Sequence, residues 1–137
     1  MITYSDTLAG ITSDNLKGGF FVGWRNPPSP EMHYQILSQS FARIVAQMED
    51  GTVIGFITAI SDGISCAYIS FLEVLPAYQH HGIGTELIRR MLKKLDFLYM
   101  VDLTCDPELQ PFYEKSHMYK AVGMMARNFK RQSCDNM

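Results

Sequence analysis

The sequence predicts a mixed α/β domain whose sheet is antiparallel at its start and parallel across its middle. Three observations carry that expectation. Apolar runs of strand length, separated by the tight-turn sequences "EDG" and "SDG", fill residues 42–74. After Pro76 the apolar period becomes helical, with Ile83, Leu87, Met91 and Leu95 on one stripe. A compact apolar run at 97–104 follows, so strand, long helix and strand succeed one another as in a parallel crossover.

Each element has its own local reason. Residues 2–5 read as a short first strand. Residues 11–17 read as a short helix: Thr12 caps it, Ile11 and Leu16 sit at staple positions, and Gly18 stops it. "GGFFVGWRNPPSP" is a loop rich in aromatics and prolines. Ser29 then caps a second helix with Pro30 at its first position, running to about Gln39. Residues 42–48, 52–60 and 66–74 form an antiparallel meander. The long helix after Gly82 presents Glu86, Arg89, Arg90, Lys93 and Lys94 on its outer face. Residues 97–104 are the crossover strand. Asp106 is placed as an N-cap, with Pro107 opening a helix to about His117. Residues 119–126 make a last strand, and a flexible tail is expected from about 130 to 137.

Composition narrows the class. The 137 residues suit a single domain, and 47% apolar with 19% charged residues is ordinary for a soluble globular chain. A net charge of −2 offers no broad basic surface for nucleic acid. No apolar run approaches the roughly 20 residues that span a membrane, and "MITYSDTLAG" lacks the regions of a signal peptide. Cys66, Cys105 and Cys134 are odd in number and widely spaced. They read as reduced thiols in a cytoplasm rather than as a disulfide framework or a CxxC metal pair.

The stretch "LPAYQHHGIGTELIRRMLKK" carries the chemistry. A helix start leaves its first N–H groups without partners and adds partial positive charge. Glycine there lets a phosphate approach the backbone. The spacing is neither the Rossmann GxGxxG nor the P-loop pattern, so local chemistry leaves a phosphate site and an ordinary loop both open. His80 and His81 are adjacent, share no face and have no third ligand nearby. They read as exposed neighbours that lend mild positive character, with no metal expected.

The longer segment "YISFLEVLPAYQHHGIGTELIRRML" resembles the acetyl-CoA signature of the GNAT superfamily of N-acetyltransferases. That signature is a strand ending V-x-P, then Q/R-x-x-G-x-G/A at a helix start. Gln79, Gly82 and Gly84 fill its fixed positions. "CDPELQPFYEKSHM" resembles the superfamily's following helix, N-x-x-A-x-x-F-Y-E-K-x-G-F. The resemblance spans essentially the whole domain. It implies a GNAT fold with about four helices around a mixed sheet whose fourth and fifth strands splay to admit the cofactor.

The resemblance implies roles at numbered positions. The backbone of Leu72, Glu73 and Val74 would pair with the pantetheine arm of acetyl-CoA. Amides around His80, His81, Gly82, Ile83, Gly84 and Thr85, with Gln79 beside them, would cradle the pyrophosphate. Tyr113 matches the tyrosine that protonates the leaving thiolate in many members, whereas helical spacing alone makes it a packed core residue. An amine would attack the acetyl thioester directly, with a backbone N–H near Glu73 or Val74 polarising the carbonyl. Glu73 is the leading general base. Asp102, His33 and a water chain are the alternatives, and a surface hydrogen bond is the non-catalytic reading of Glu73. Asp106 stands where asparagine is usual, which weakens its expected contact with the cofactor. "SHM" replaces the usual x-G-F, and Val101 stands where ribosomal-protein acetyltransferases carry a glutamate.

The acceptor is expected to be an amine-bearing small molecule or peptide. Phe20, Phe21 and Trp24 either plug the core or, with the second helix and His33, wall the acceptor cleft. On that second reading Phe21, Trp24 and His33 bind substrate. Arg89 and Arg90 are a solvated face that also lies within possible reach of the cofactor's phosphates. A homodimer through residues 119–129 is what the resemblance implies for assembly. A non-catalytic sensor of acetyl-CoA, or a domain for another phosphate ligand, stays open beside the enzyme.

Overall fold

A computed structural model describes residues 1–135. Five strands form one sheet in the order β1 (Thr3–Ser5), β2 (Ala42–Gln47), β3 (Val53–Ser61), β4 (Cys66–Val74) and β5 (Met100–Asp102). The first four pair antiparallel, and β4 with β5 is parallel. The α-helices are α1 (Pro30–Gln39), α2 (Ile83–Lys94) and α3 (Gln110–Glu114). Tight 3-10 turns supply the rest of the helical backbone, at Ser13–Leu16, Pro76–Tyr78, Pro107–Leu109 and Phe129–Arg131.

The local signals account for the helix starts. Ser29 Oγ accepts from the Met32 N–H at 3.1 Å, and Pro30 follows as the first helical residue. At Ser13–Leu16 the Asp14 N–H donates to Thr12 Oγ1 at 3.2 Å, and the Thr12 N–H donates to Asn15 Oδ1 at 2.8 Å. This is a reciprocal cap, with Asn15 in the place usually held by Glu or Gln.

β3 is buried on both faces, and its neighbours show why. A Cβ added at Gly55 would meet Leu87 Cδ1 at 3.2 Å and Ile83 Cγ2 at 3.3 Å, so α2 lies hard against that face. The next side chain, Phe56, points the other way. Its ring packs 4.3 Å from His33 of α1 and 5.1 Å from Phe20. A sheet covered on both sides needs continuous rather than alternating apolarity. Ile83, Leu87, Ile88, Met91 and Leu95 are buried on the α2 side, and Leu16, Phe20, Phe21 and Leu37 are among the core residues supplied by α1 and the segment before it.

Four expectations need correction. β5 holds three residues rather than the run 97–104, and it pairs only as Cys66↔Met100, Ala67↔Val101 and Tyr68↔Asp102. Leu98 is the one buried residue of the run, while Phe97, Tyr99 and Met100 are exposed, so its apolar character marks neither a full strand nor a buried face. The helix after Asp106 ends at Glu114, short of His117, which takes the left-handed conformation at φ 68°. Asp106 makes no side-chain cap. Its backbone carbonyl accepts from the Leu109 N–H at 2.9 Å, closing a 3-10 turn instead. Residues 119–126 form no strand. They run beyond the sheet edge with Tyr119 94% and Val122 101% exposed, because no neighbouring strand is there to complete a ladder. The expected tail reaches past Cys134 to residues 136 and 137, which lie outside the described residues.

Candidate functional site

The site is built where β4 parts from β5. Pairing stops at Tyr68↔Asp102, yet β4 continues to Val74 with only β3 beside it. Residues 69–74 therefore present an open strand edge. The Tyr68 hydroxyl and Thr104 Oγ1 lie 2.8 Å apart at the point of divergence. Thr58 and Ser70 pair across β3 and β4 at 2.9 Å, which satisfies a fully buried hydroxyl beneath that edge.

The strand then feeds a helix start. Leu75 N–H donates to Ile54 O at 2.8 Å, keeping the chain on β3 for one more residue. Gln79 Nε2 reaches back to the Val74 carbonyl at 3.0 Å, tying the loop to the strand end. His80 and Gly82 are both left-handed, at φ 66° and 82°, on either side of His81. The first intrahelical bond is Glu86 N–H to Gly82 O at 3.1 Å, so the amides ahead of it have no partner inside α2.

The two glycines have different reasons. Gly82 needs its left-handed backbone, and no other atom lies within 4 Å of the place a Cβ would take. Gly84 has ordinary backbone and neighbours at contact distance. A Cβ there would sit 3.4 Å from Phe112 Cζ and 3.8 Å from Val74 Cγ2. Phe112 belongs to α3, so Gly84 lets α3 dock on the start of α2 beside the end of β4. That contact, invisible in the local sequence, also positions the next residue, Tyr113.

Tyr113 is half-buried, its ring edge-on to Phe112 at 4.9 Å. Burial pushes its pKa up to about 12, with a smaller push from Cys105, so the phenol stays protonated at neutral pH. Cys105 is itself raised by burial and by the neighbouring Asp106 and Glu108.

Glu73 is half-buried. The Phe21 N–H donates to its Oε1 at 2.8 Å and Oε2 at 3.0 Å, and the Val22 N–H donates to Oε1 at 3.2 Å. Burial raises its pKa, and these two amides oppose the rise. The carboxylate thus pins Phe21, a non-glycine residue held at φ 63°. Phe21 and Phe20 are buried, so the aromatic loop does plug the core. Trp24 leans on Phe21 at 4.9 Å and on Phe71 of β4 at 6.0 Å. His33 stands behind this cluster, walled by Phe20, Phe21 and Phe56.

His80 and His81 are exposed, and His81 Nδ1 lies 3.2 Å from the Tyr78 carbonyl. Among the described residues no group of three His, Cys, Asp or Glu side chains is arranged for a metal. Asp102 and Asp106 are exposed. Arg89 and Arg90 both bond Glu86, at 2.6 Å for the shortest contact of each, and Arg90 also lies over the Tyr4 ring at 4.7 Å.

Comparison with known proteins agrees with this geometry. The model of the acetyltransferase (GNAT) family matches residues 12–118, from the cap of the first 3-10 turn to the residue after α3's closing turn. A candidate acetyltransferase from Deinococcus radiodurans R1 is similar over 96% of this chain and 92% of its own, with 45% identity and a TM-score of 0.93. A GNAT-family acetyltransferase from Streptococcus pneumoniae is similar over 93% of this chain and 98% of its own, at 29% identity and a TM-score of 0.75. Glucosamine-6-phosphate N-acetyltransferase from Arabidopsis thaliana shares the fold at 15% identity, over 94% of this chain and 99% of its own, with a TM-score of 0.69. No curated protein matches the chain. The strand divergence, the glycine-opened helix and these likenesses converge on one assignment, and the chain belongs to the GNAT acetyltransferase family.

Proposed function

We propose that the chain moves an acetyl group from acetyl-CoA to a primary amine of a small molecule or peptide. The observation that carries this reading is the open edge of β4 running directly into the left-handed loop at the start of α2. The residues fit such a co-substrate. The edge at 69–74 offers main-chain groups to an amide-containing arm, as an added strand would. Unpartnered amides at the start of α2, with open space at Gly82, suit a pyrophosphate. Leu72, Glu73, Val74, Gln79 and His80 to Thr85 would supply the contacts, and Asp106 would stand at the far lip.

The chemistry is a single displacement. The amine nitrogen forms a bond to the thioester carbon, the carbon–sulfur bond breaks, and the acceptor nitrogen gives up a proton. Glu73 is the group we assign to receive that proton, because burial raises its basicity and Oε2 takes only one of the three amide contacts. Tyr113 returns a proton to the leaving sulfur; its raised pKa keeps that proton available at neutral pH. Phe21 and Trp24 wall the acceptor side, with His33 behind them.

The arm after α3 supports a reading of the assembly. Tyr119, Val122, Met124, Met125 and Phe129 are exposed there, and β5 ends the sheet with a free edge. We read this arm as the pairing surface of a homodimer. The three cysteines are free, which suits a reducing cytoplasm. No helix among the described residues is long and apolar enough to cross a membrane.

The test is mass spectrometry of acetyl-CoA turnover against pooled polyamines, amino acids, aminoglycosides and short peptides. An acceptor gaining the mass of one acetyl group supports the proposal and names its class. Stabilisation by acetyl-CoA without any product points to a sensor, and no binding at all overturns the reading.

A further inference from the structure

Val74 ends β4, and the ladder fixes which way its backbone points. The Leu75 N–H donates to Ile54 O at 2.8 Å, and the register pairs Glu73 with Phe56 and Val74 with Gly55. Hydrogen-bonded and non-bonded pairs alternate along an antiparallel ladder. Leu75 and Glu73 therefore turn their main-chain groups toward β3. Leu72 and Val74 each turn an N–H and a C=O toward the open edge.

One of those edge groups is already taken. Gln79 Nε2 donates to the Val74 carbonyl at 3.0 Å. The amide's own oxygen would be repelled there, so the nitrogen end is the one that faces Val74. The edge that remains is the N–H and C=O of Leu72 and the N–H of Val74.

The same bond ties the loop at 76–82 to the strand. The loop's other hydrogen bonds are local. The Tyr78 N–H reaches Leu75 O at 2.8 Å, the Gln79 N–H reaches Pro76 O at 3.3 Å, and His81 Nδ1 lies 3.2 Å from Tyr78 O. Directly after Gln79 comes His80, a non-glycine residue at φ 66°. Such a backbone persists only where its surroundings hold it. Gln79 thus fastens to the strand end the turn from which the amides at the start of α2 follow.

We propose that Gln79 is a positioning residue for acetyl-CoA: its side chain holds the loop amides at a set distance from the β4 edge, so that one ligand engages its pantetheine arm and its pyrophosphate together. The inference rests on the acetyl-transfer reading and changes one part of it, since Gln79 then acts through Val74 and the loop rather than on the phosphates. The gain is that of a linked ligand. Two halves joined by a chain bind more tightly than either alone when their subsites stand at the spacing the chain spans, and the gain falls when that spacing loosens.

The test divides acetyl-CoA into its halves. S-acetylpantetheine probes the edge, and the adenosine diphosphate half of CoA, with its ribose phosphate, probes the loop. Each half and whole acetyl-CoA are titrated by nuclear magnetic resonance into native protein and Gln79→Ala. Gln79 is exposed, so the substitution leaves the core untouched, and thermal melts of the two proteins check this. Gln79→Ala should weaken whole acetyl-CoA about fivefold, the scale of one hydrogen bond, and change either half by less than about twofold. Gln79→Met keeps the length without the donor and should match Gln79→Ala. Whole acetyl-CoA binding unchanged in both variants overturns the proposal. So does a nucleotide half that weakens as much as the whole, because Gln79 would then touch the phosphates. Native protein that binds neither acetyl-CoA nor its halves sinks the acetyl-transfer reading and this inference with it.

Discussion

Acidification should destabilise this protein through one buried imidazole. In the unfolded chain His33 takes a proton near its ordinary pKa of 6.5; in the fold it does so only near about 4, because burial among three phenylalanines penalises the charge. Between those values the unfolded state binds more protons, so stability falls as pH falls. The contribution is intact above 6.5 and fully lost below about 4. That gap, at about 1.36 kcal/mol per pKa unit, amounts to about 3 kcal/mol. Small domains hold roughly 5–15 kcal/mol in all, so the effect is large. Other groups titrate on the acid side as well. Glu73, with its raised pKa, works in the opposite sense and favours the fold as it protonates. Glu86, held at about 2 by Arg89 and Arg90, loses stability only at lower pH. Asp62, held well below the usual carboxylate range by Ser65 and the amides after it, does the same. A His33→Phe variant keeps all three, so the difference between the proteins isolates the imidazole. Urea midpoints measured from about pH 7 to about pH 4.5 should show native protein losing 2–3 kcal/mol more than the variant, about what the linkage predicts. Parallel loss in both would refute the reasoning.

Other substitutions separate the remaining roles. Tyr113→Phe should lower kcat about tenfold or more with acetyl-CoA affinity unchanged, because only the proton donor is removed; an unaltered kcat sinks the role. Glu73→Gln keeps an oxygen for the Phe21 amide but cannot take a proton, so it should lower kcat at least about tenfold without unfolding the loop. Glu73→Ala removes both and should raise acceptor KM as well, and equal behaviour of the two variants would show that the amide contacts are idle. Gly84→Val places branched methyls against Phe112 and should cost about 1–3 kcal/mol while displacing Tyr113, read by thermal melts and kcat together. Removing the arm from residue 119 onward should leave a monomer by gel filtration if that arm pairs two copies, and an unchanged elution relative to the full chain would exclude it.

What could be read from sequence alone follows the range of the forces involved. The bounds of β4 and the start of α1 are stated by adjacent residues: "SDG" before Cys66, and Ser29 with Pro30 before the helix. Caps and turns act over three or four positions, so they survive translation from sequence to structure. The run 119–126 shows the opposite case. Its residues have strand character, yet a strand exists only where another backbone accepts its hydrogen bonds, and β5 stops at Asp102. Period says which face a segment prefers, not whether a partner is present. The site divides in the same way. The helix-opening glycines were legible because they lie in one short motif. The grip of Glu73 on Phe21 was not, because the partners are 52 positions apart and the bond depends on a left-handed phenylalanine.

The glycine motif itself shows how fold and chemistry share residues. Gly82 is required by its own backbone angle, and the space around it stays empty of protein. Gly84 instead faces a neighbour, Phe112, on the helix that carries Tyr113, with room for contact but not for a branched side chain. On the proposed reading Gly82 keeps a ligand's approach open, while Gly84 lets the helix that carries Tyr113 lie beside Val74. Their substitutions should part accordingly. Gly82→Ala strains a left-handed residue by about 1 kcal/mol and should weaken acetyl-CoA binding while sparing kcat at saturation. Gly84→Ala adds a methyl at 3.4 Å from the Phe112 ring and should lower kcat with smaller change in cofactor affinity. If both glycines served only the phosphate, the two variants would lose affinity alike, and acetyl-CoA titration of each decides between these accounts.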